Sequence, residues 1–268
     1  MKLSNLPIGI FDSGVGGLTV FKAIRNLLPQ ENLVYFGDLA RVPYGMKSPR
    51  LIQTYSLQIA KYLIEKSKVK ALVVACNTAS STSLEILKEN FNLPILGVIL
   101  PGVEEALRIT RNGRIGVIGT RTTIKTGAYQ KALLKRKKGI EVFAYPTPLL
   151  VPLVEEGWLE NRVARLVVRE YLAPFIQAGV DTLILGCTHY PLLKKIIGKE
   201  GKGIMLVDSS QAVARKLKEI LEEKGLKGGE GKEEFYLTDI PQNFSFLFRV
   251  LLGREPENVK LVKLEELL

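Results

Sequence analysis

The two cysteines of this 268-residue chain stand in similar surroundings, and their spacing suits proton-transfer chemistry. Cys76 and Cys187 each follow a short apolar run and one small residue, and each precedes a threonine by one or two places. A thiol at the start of a helix has a lowered pKa, which raises its thiolate fraction. The single histidine, His189, lies two residues after Cys187 and is a candidate proton-transfer partner.

Other interpretations of these residues are possible. A lone cysteine at a strand end is more often inert core, but two matched cysteines favour chemistry. A structural disulfide is disfavoured in the reducing cytoplasm. A zinc ion held by Cys76, Cys187 and His189 is an alternative, although Cys-Thr-His is not a usual ligand spacing.

The elements that must position the cysteines follow from the apolar pattern. Continuous apolar runs bounded by turn residues predict buried parallel strands, and Ser or Thr clusters after them predict helix starts. Strands are expected at 8–12, 33–36, 71–74, 94–98, 115–119, 140–144, 182–185, 204–207 and 234–237. Helices are expected at 18–28, 49–66, 80–90, 125–137, 161–177, 192–197 and 210–224, with a loop at 146–157 and a short helix after the last strand.

The same pattern occurs twice along the chain. Residues 8–12 match residues 115–119 at a separation of 107 positions, and Cys76 matches Cys187 at 111 positions. Alternating strands and helices form parallel sheets. We therefore expect an α/β fold of two similar parallel-sheet domains related by an internal repeat, with the active site between them. The first domain would comprise 1–98 plus 208–268, and the second 99–207.

Polar residues beside the cysteines add to the candidate site. Asp12 ends the first strand and faces the same cleft, unless it only caps the following helix. Asn77, Thr78 and Thr188 could also be caps, but free N–H groups at helix starts bind carboxylates as well. Thr120, in the polar turn after residues 115–119, is added as an expected substrate contact.

Composition restricts the class of protein. The net charge is +11, but the basic residues are spread over helix faces, which does not favour a nucleic-acid partner. No apolar stretch approaches the roughly 18 residues of a membrane span. The N-terminus lacks an apolar signal core, so we expect a cytoplasmic protein with no membrane partner.

A dinucleotide site is a further alternative. Gly14-Val15-Gly16 follows a strand, and Asp38 lies at a suitable distance. However, Thr19 occupies the third glycine position of the fingerprint, and no phosphate-binding Gly-Lys-Ser/Thr sequence occurs. The sequence thus gives no convincing cofactor loop.

Four motifs together resemble the glutamate racemase family, within the aspartate/glutamate racemases, in the family's order over nearly the whole chain. They are Asp12-Ser13-Gly14-Val15-Gly16-Gly17, Pro43-Tyr44-Gly45, Cys76-Asn77-Thr78-Ala79-Ser80 and Gly186-Cys187-Thr188-His189-Tyr190-Pro191. The resemblance implies a cofactor-independent isomerase that acts on the small molecule glutamate. It also implies a cytoplasmic homodimer that supplies D-glutamate for peptidoglycan, and so serves cell wall biogenesis and cell shape.

The resemblance also implies roles for particular residues. Cys76 and Cys187 would be the two bases, with Asp12 and His189 tuning them. A further family carboxylate best matches Glu156, next to Glu155. The expected substrate contacts are Asp12, Ser13, Tyr44, Gly45, Asn77, Thr78, Thr120, Thr188 and His189.

Two other functions are left open. One is an aspartate or other amino-acid racemase of the same family; aspartate racemases have a similar cysteine pair but usually lack the histidine after the second. The other is a non-catalytic amino-acid binding protein on paired α/β domains. Binding alone gives no reason for two matched cysteines, whereas racemisation does, because two bases can stand on opposite faces of Cα.

Overall fold

A computed structural model describes residues 2–242 and 244–268. Two sheets, each entirely parallel, organise the chain. The strands of the first sheet are β1 (Ile8–Asp12), β2 (Leu33–Gly37), β3 (Ala71–Val74), β4 (Ile95–Gly97), β9 (Glu233–Leu237) and β10 (Val259–Leu261). The strands of the second sheet are β5 (Arg114–Gly119), β6 (Glu141–Pro146), β7 (Thr182–Gly186) and β8 (Met205–Val207).

Eleven α-helices in the described residues cover and connect the sheets. They are α1 (Leu18–Leu27), α2 (Pro49–Glu65), α3 (Asn77–Asn90), α4 (Ile99–Ile109), α5 (Arg121–Thr126), α6 (Ala128–Arg136), α7 (Leu150–Glu155), α8 (Arg162–Gln177), α9 (Lys194–Glu200), α10 (Ser209–Glu223) and α11 (Phe244–Leu252). Within the part of the chain that the structure describes, none of them is long and apolar enough to cross a membrane.

The two sheets repeat one strand arrangement, which confirms the predicted fold. The order β2-β1-β3-β4 in the first sheet corresponds to β6-β5-β7-β8 in the second. The register corresponds as well, because Phe11 pairs with Val74 and Ile118 pairs with Leu185. Cys76 lies two residues beyond Val74, and Cys187 lies two residues beyond Leu185. The repeat therefore places both sulfurs at equivalent sheet edges.

The first sheet contains strands from 8–97 and 233–261, whereas the second contains strands only from 114–207. The largest apolar core includes residues of both sheets, among them Ile10 and Val117, together with Tyr129 of helix α6. Helix α10 packs against α1 and α4. The exact domain boundaries at 98 and 208 stay predictions.

The structure corrects several predicted elements. Helix α4 was not expected, and the predicted loop at 146–157 contains helix α7. In both helices proline is the third residue, Pro101 and Pro152. A proline in the first turn is tolerated because the N–H groups there have no intrahelical partner.

Two further differences have local causes. The predicted helix at 125–137 is divided into α5 and α6 by Gly127, whose left-handed φ of 67° ends the first helix. The last strand, β10, was also missed: it has only three residues and pairs with β9 at the sheet edge.

Candidate active site

A cavity of about 180 Å³ lies where the carboxyl ends of the two sheets face each other. Its size suits an amino acid rather than a drug-sized ligand, which needs roughly 300–1,000 Å³. Both cysteines line it. The remaining lining residues are Ser13, Val42, Pro43, Tyr44, Gly45, Met46, Asn77, Thr78, Thr120, Arg121, Pro148, Val151, Pro152, Glu155, Thr188, His189 and Tyr190.

Cys76 lies directly before helix α3, as predicted. The Ala79 N–H donates to its sulfur at 3.5 Å, and its thiol donates to the Ser13 hydroxyl oxygen at 3.5 Å. Only 5% of the residue is exposed. The sulfur is thus held at the cavity wall by one backbone and one side-chain contact.

The electrostatics of Cys76 differ from the sequence-based expectation. Burial, followed by the negative charge of Asp12, raises the pKa of the Cys76 thiol to about 12. The contacts from Ala79 and Ser13 act in the opposite direction but are outweighed. The lowering effect of the helix N-terminus is therefore outweighed, and Cys76 is a thiol at neutral pH.

Cys187 has a different set of neighbours. Its sulfur lies 3.8 Å from Nδ1 of His189, and Nε2 of His189 lies 3.4 Å from Oε1 of Glu155. Burial alone would lower the pKa of His189, but contact with Cys187 and Glu155 outweighs burial and raises it to about 10. At neutral pH an imidazolium therefore lies beside the Cys187 sulfur.

Asp12 connects the two sheets at the base of the site. Its carboxylate accepts from the Gly14 N–H at 3.0 Å and from the Thr188 hydroxyl at 3.3 Å. Burial raises the pKa of Asp12, against the lowering effects of His189 and these hydrogen bonds. Asp12 does not line the cavity itself, so it acts on the site through its charge and through Thr188.

The structure does not place Glu156 at the site. Its neighbour Glu155 lines the cavity, whereas Glu156 is exposed and ends helix α7. Glu155 is the last residue of the helix, and its carboxylate lies 3.4 Å from Nε2 of His189. The expected placement is corrected to Glu155.

Three threonine hydroxyls join the two halves of the cavity. Oγ1 of Thr78 lies 2.9 Å from that of Thr120 and 3.1 Å from that of Thr123, and the last two are 2.9 Å apart. Thr78 belongs to α3, and Thr120 caps α5 in the second half. The cluster offers hydroxyl groups to a ligand from both halves.

Side chains that do not line the cavity hold the Tyr44–Gly45 segment by hydrogen bonds. The Tyr44 hydroxyl and the Arg41 guanidinium both donate to the buried carboxylate of Asp38, the second at 2.7 Å. The Thr122 hydroxyl donates to the Gly45 carbonyl at 3.0 Å. Asp38, considered above as part of a dinucleotide site, thus supports Tyr44 instead.

Several lining residues were not predicted. Val151 and Pro152 belong to helix α7, which was not predicted because its proline is typical of a loop. Arg121 follows the predicted Thr120 directly and could have been found from that position. Across 2–242 and 244–268, no group of three or more His, Cys, Asp or Glu side chains is arranged to hold a metal ion.

The chain is similar to known proteins in both sequence and structure. Residues 9–217 match the family model described as Asp/Glu/Hydantoin racemase. A glutamate racemase from Geobacter metallireducens is 49% identical, over 96% of this chain and 97% of that protein. One from Aquifex aeolicus is 52% identical, over 94% and 96%. The crystal structure of glutamate racemase from Francisella tularensis in complex with D-glutamate superposes with a TM-score of 0.92 at 39% identity, over 98% of this chain and 99% of that chain.

Proposed function

Because the chain belongs to the Asp/Glu/hydantoin racemase family, we propose that it is a glutamate racemase that interconverts L- and D-glutamate without a cofactor. One observation carries this proposal: the internal repeat brings Cys76 and Cys187 from equivalent positions to one amino-acid-sized cavity. Racemisation removes a proton from one face of Cα and returns one to the other. A single base would have to move around the substrate, whereas two facing repeats supply one group on each side.

The reaction is a proton removal followed by a proton return. One cysteine thiolate takes the proton from Cα, and the electron pair of the broken C–H bond stays on Cα and the adjoining carboxylate. The opposite cysteine, as a thiol, then donates a proton to the other face of Cα. The enzyme ends with the thiol and thiolate exchanged, and the reverse reaction uses the cysteines in the opposite order.

Stabilising the carbanion is the difficult step, because an ionised carboxylate makes the Cα proton weakly acidic. Donors aimed at the developing charge in a closed, dry site are the usual source of such stabilisation. We assign this role to the N–H groups at the start of helix α3, directly after Cys76. The helix start expected directly after Cys187 is not observed, because α9 begins only at Lys194. The substrate would be held by Ser13, Tyr44, Gly45, Asn77, Thr78, Thr120, Thr188 and His189.

The surroundings of the two cysteines differ in charge. With a pKa raised to about 12, Cys76 begins as the proton donor. The imidazolium of His189 lies 3.8 Å from the Cys187 sulfur, on the side that would take the proton first. The free enzyme would then first accept the enantiomer whose Cα proton faces Cys187.

We further propose the wider setting that the family implies. The protein would act in the cytoplasm as a homodimer and supply D-glutamate for peptidoglycan. An aspartate racemase is the second candidate within the family, but the relatives at 49% and 52% identity are both glutamate racemases. The cysteine pair argues against a binding protein without catalysis.

The test is proton exchange at Cα, followed by NMR in deuterated water with L- or D-glutamate and no added cofactor. We expect each enantiomer to gain deuterium at Cα and to approach an equal mixture, before and after treatment with a chelator. L- and D-aspartate serve as matched substrates and should exchange much more slowly. Absence of exchange with glutamate would overturn the proposal, and faster exchange with aspartate would favour the second candidate.

A further inference from the structure

A buried hydrogen bond connects the second repeat to the substrate-facing start of helix α3. The hydroxyl of Tyr129, on α6, donates to Oδ1 of Asn77 at 2.6 Å. Tyr129 is 0% exposed, and Asn77 is 5% exposed. Asn77 is the first residue of α3 and lines the cavity, whereas Tyr129 does not line it.

The position of the Tyr129 hydroxyl is fixed by packing. The ring belongs to the largest apolar core and lies close to two glycines. A Cβ atom at Gly186 would lie 3.2 Å from Cε2 of the ring, and one at Gly102 would lie 3.7 Å from Cε1. Burial raises the pKa of Tyr129, so the hydroxyl keeps its proton and can donate.

This bond determines which end of the Asn77 amide faces the ligand. A side-chain amide has one oxygen acceptor and one nitrogen that carries two donors. Because the oxygen is engaged by Tyr129, the nitrogen is left for the cavity. An N–H donor suits a carboxylate oxygen, whereas an amide oxygen would repel one.

We propose that Tyr129 is a positioning residue that fixes the Asn77 amide so that its N–H groups meet a substrate carboxylate. This inference rests on the proposed racemase function. Tyr129 would contribute to substrate binding without contacting the substrate, and would make the binding surface of the first repeat depend on a side chain of the second.

The test is a double-mutant cycle of Tyr129→Phe and Asn77→Ala, with kcat and KM measured for both enantiomers of glutamate. Tyr129→Phe removes the hydroxyl and keeps the ring, so the amide can turn its oxygen toward the carboxylate. We expect KM to rise by about 10-fold for both enantiomers, as for the loss of one good hydrogen bond, with kcat within about twofold of wild type. In the Asn77→Ala background, Tyr129→Phe should cause no further rise.

Asn77→Asp is the matched control, because it keeps the acceptor for Tyr129 and removes the N–H donors. It should raise KM more than Tyr129→Phe does. If Asn77→Ala does not fold, Asn77→Ser takes its place in the cycle. A Tyr129→Phe enzyme with wild-type KM would overturn the inference. So would an equal loss in both backgrounds, since the tyrosine would then act on the fold alone. A wild-type chain that does not racemise glutamate would instead overturn the proposed function.

Discussion

The two repeats have the same strand order and the same cysteine register, but different side chains surround the two sulfurs. The strand that ends with Asp12 in the first repeat ends with Gly119 in the second. The residue two places after Cys76 is Thr78, whereas the residue two places after Cys187 is His189. The backbone repeat thus fixes where the sulfurs lie, and the unrepeated polar residues give the two sulfurs different neighbours.

The different side chains around the two sulfurs have a chemical consequence. Two identical thiols in one cavity would have no reason to differ in protonation, yet the proposed two-cysteine mechanism requires one thiol and one thiolate. The anion of Asp12 near Cys76 and the cation of His189 near Cys187 make the surroundings of the two sulfurs unlike before the substrate enters. We infer that the repeat supplies the symmetry of the reaction, and that Asp12 and His189 break it.

The largest expected effect comes from removing either sulfur. Cys76→Ala and Cys187→Ala should each lower racemisation by at least about 1,000-fold, because each removes the proposed proton-transfer group on one side of Cα. The fold should be retained, which circular dichroism can check. The measurement is the interconversion rate of L- and D-glutamate by polarimetry.

Each alanine variant supplies its own control. Elimination of a leaving group from a glutamate analogue needs a single base, so each variant should still eliminate from one enantiomer of such an analogue. The two variants should accept opposite enantiomers. Near wild-type racemisation by either variant would refute the two-base mechanism.

A smaller effect is expected from removing the charges that distinguish the repeats. Asp12→Asn should mainly affect proton transfer at Cys76, and His189→Asn should mainly affect transfer at Cys187. We expect kcat in the two directions to change unequally, by roughly 10- to 100-fold in the more affected direction, and in opposite senses for the two variants.

The ratio of kcat/KM values must still equal the equilibrium constant of one, so the inequality can be seen only in kcat and KM separately. Primary isotope effects with Cα-deuterated L- and D-glutamate measure it. If both variants had equal isotope effects, kcat and KM in the two directions, Asp12 would not act mainly on Cys76, nor His189 mainly on Cys187. The two-cysteine mechanism would stand in that case.

The smallest effect concerns the contact between the repeats at Gly16. A Cβ atom there would lie 2.4 Å from Oγ1 of Thr188 and 2.7 Å from Nδ1 of His189. Gly16→Ala should therefore displace these side chains, lower kcat/KM by about 5- to 10-fold and destabilise the fold by about 1–3 kcal/mol. Thermal unfolding and steady-state kinetics measure the two effects.

Gly198→Ala is the control for this change, since a Cβ atom at Gly198 meets nothing within 4 Å. It lies in helix α9, where alanine should be neutral or stabilise by up to about 1 kcal/mol. If both alanine variants had wild-type stability and activity, Gly16 would not be a close contact between the repeats.

The sequence was most informative where apolar runs are continuous. The central strands and the places of both cysteines follow from such runs, because a buried parallel strand needs apolar residues on both faces. Helices α4 and α7 were not predicted, because a proline such as the third residue of each helix is typical of a loop. The choice between Glu155 and Glu156 depends on the rotation of a short helix, which a one-residue difference in sequence does not reveal.

The acidity of Cys76 could not be predicted at all. Its position before a helix was known and indicates a lowered pKa, but burial and the charge of Asp12 reverse the direction. Both effects depend on which residues from distant parts of the chain surround the sulfur. Local spacing therefore identifies a reactive residue more readily than its protonation state.

The pairing of β2 with β9 has a consequence for how the protein is made. Leu33 pairs with Glu233, so the first sheet remains incomplete until almost the entire chain has been synthesised. The second sheet needs only residues 114–207 and can form while the end of the chain is still in the ribosome. During that interval the outer edge of β2 has unpaired N–H and C=O groups, which makes it the part of the newborn chain most exposed to wrong pairing.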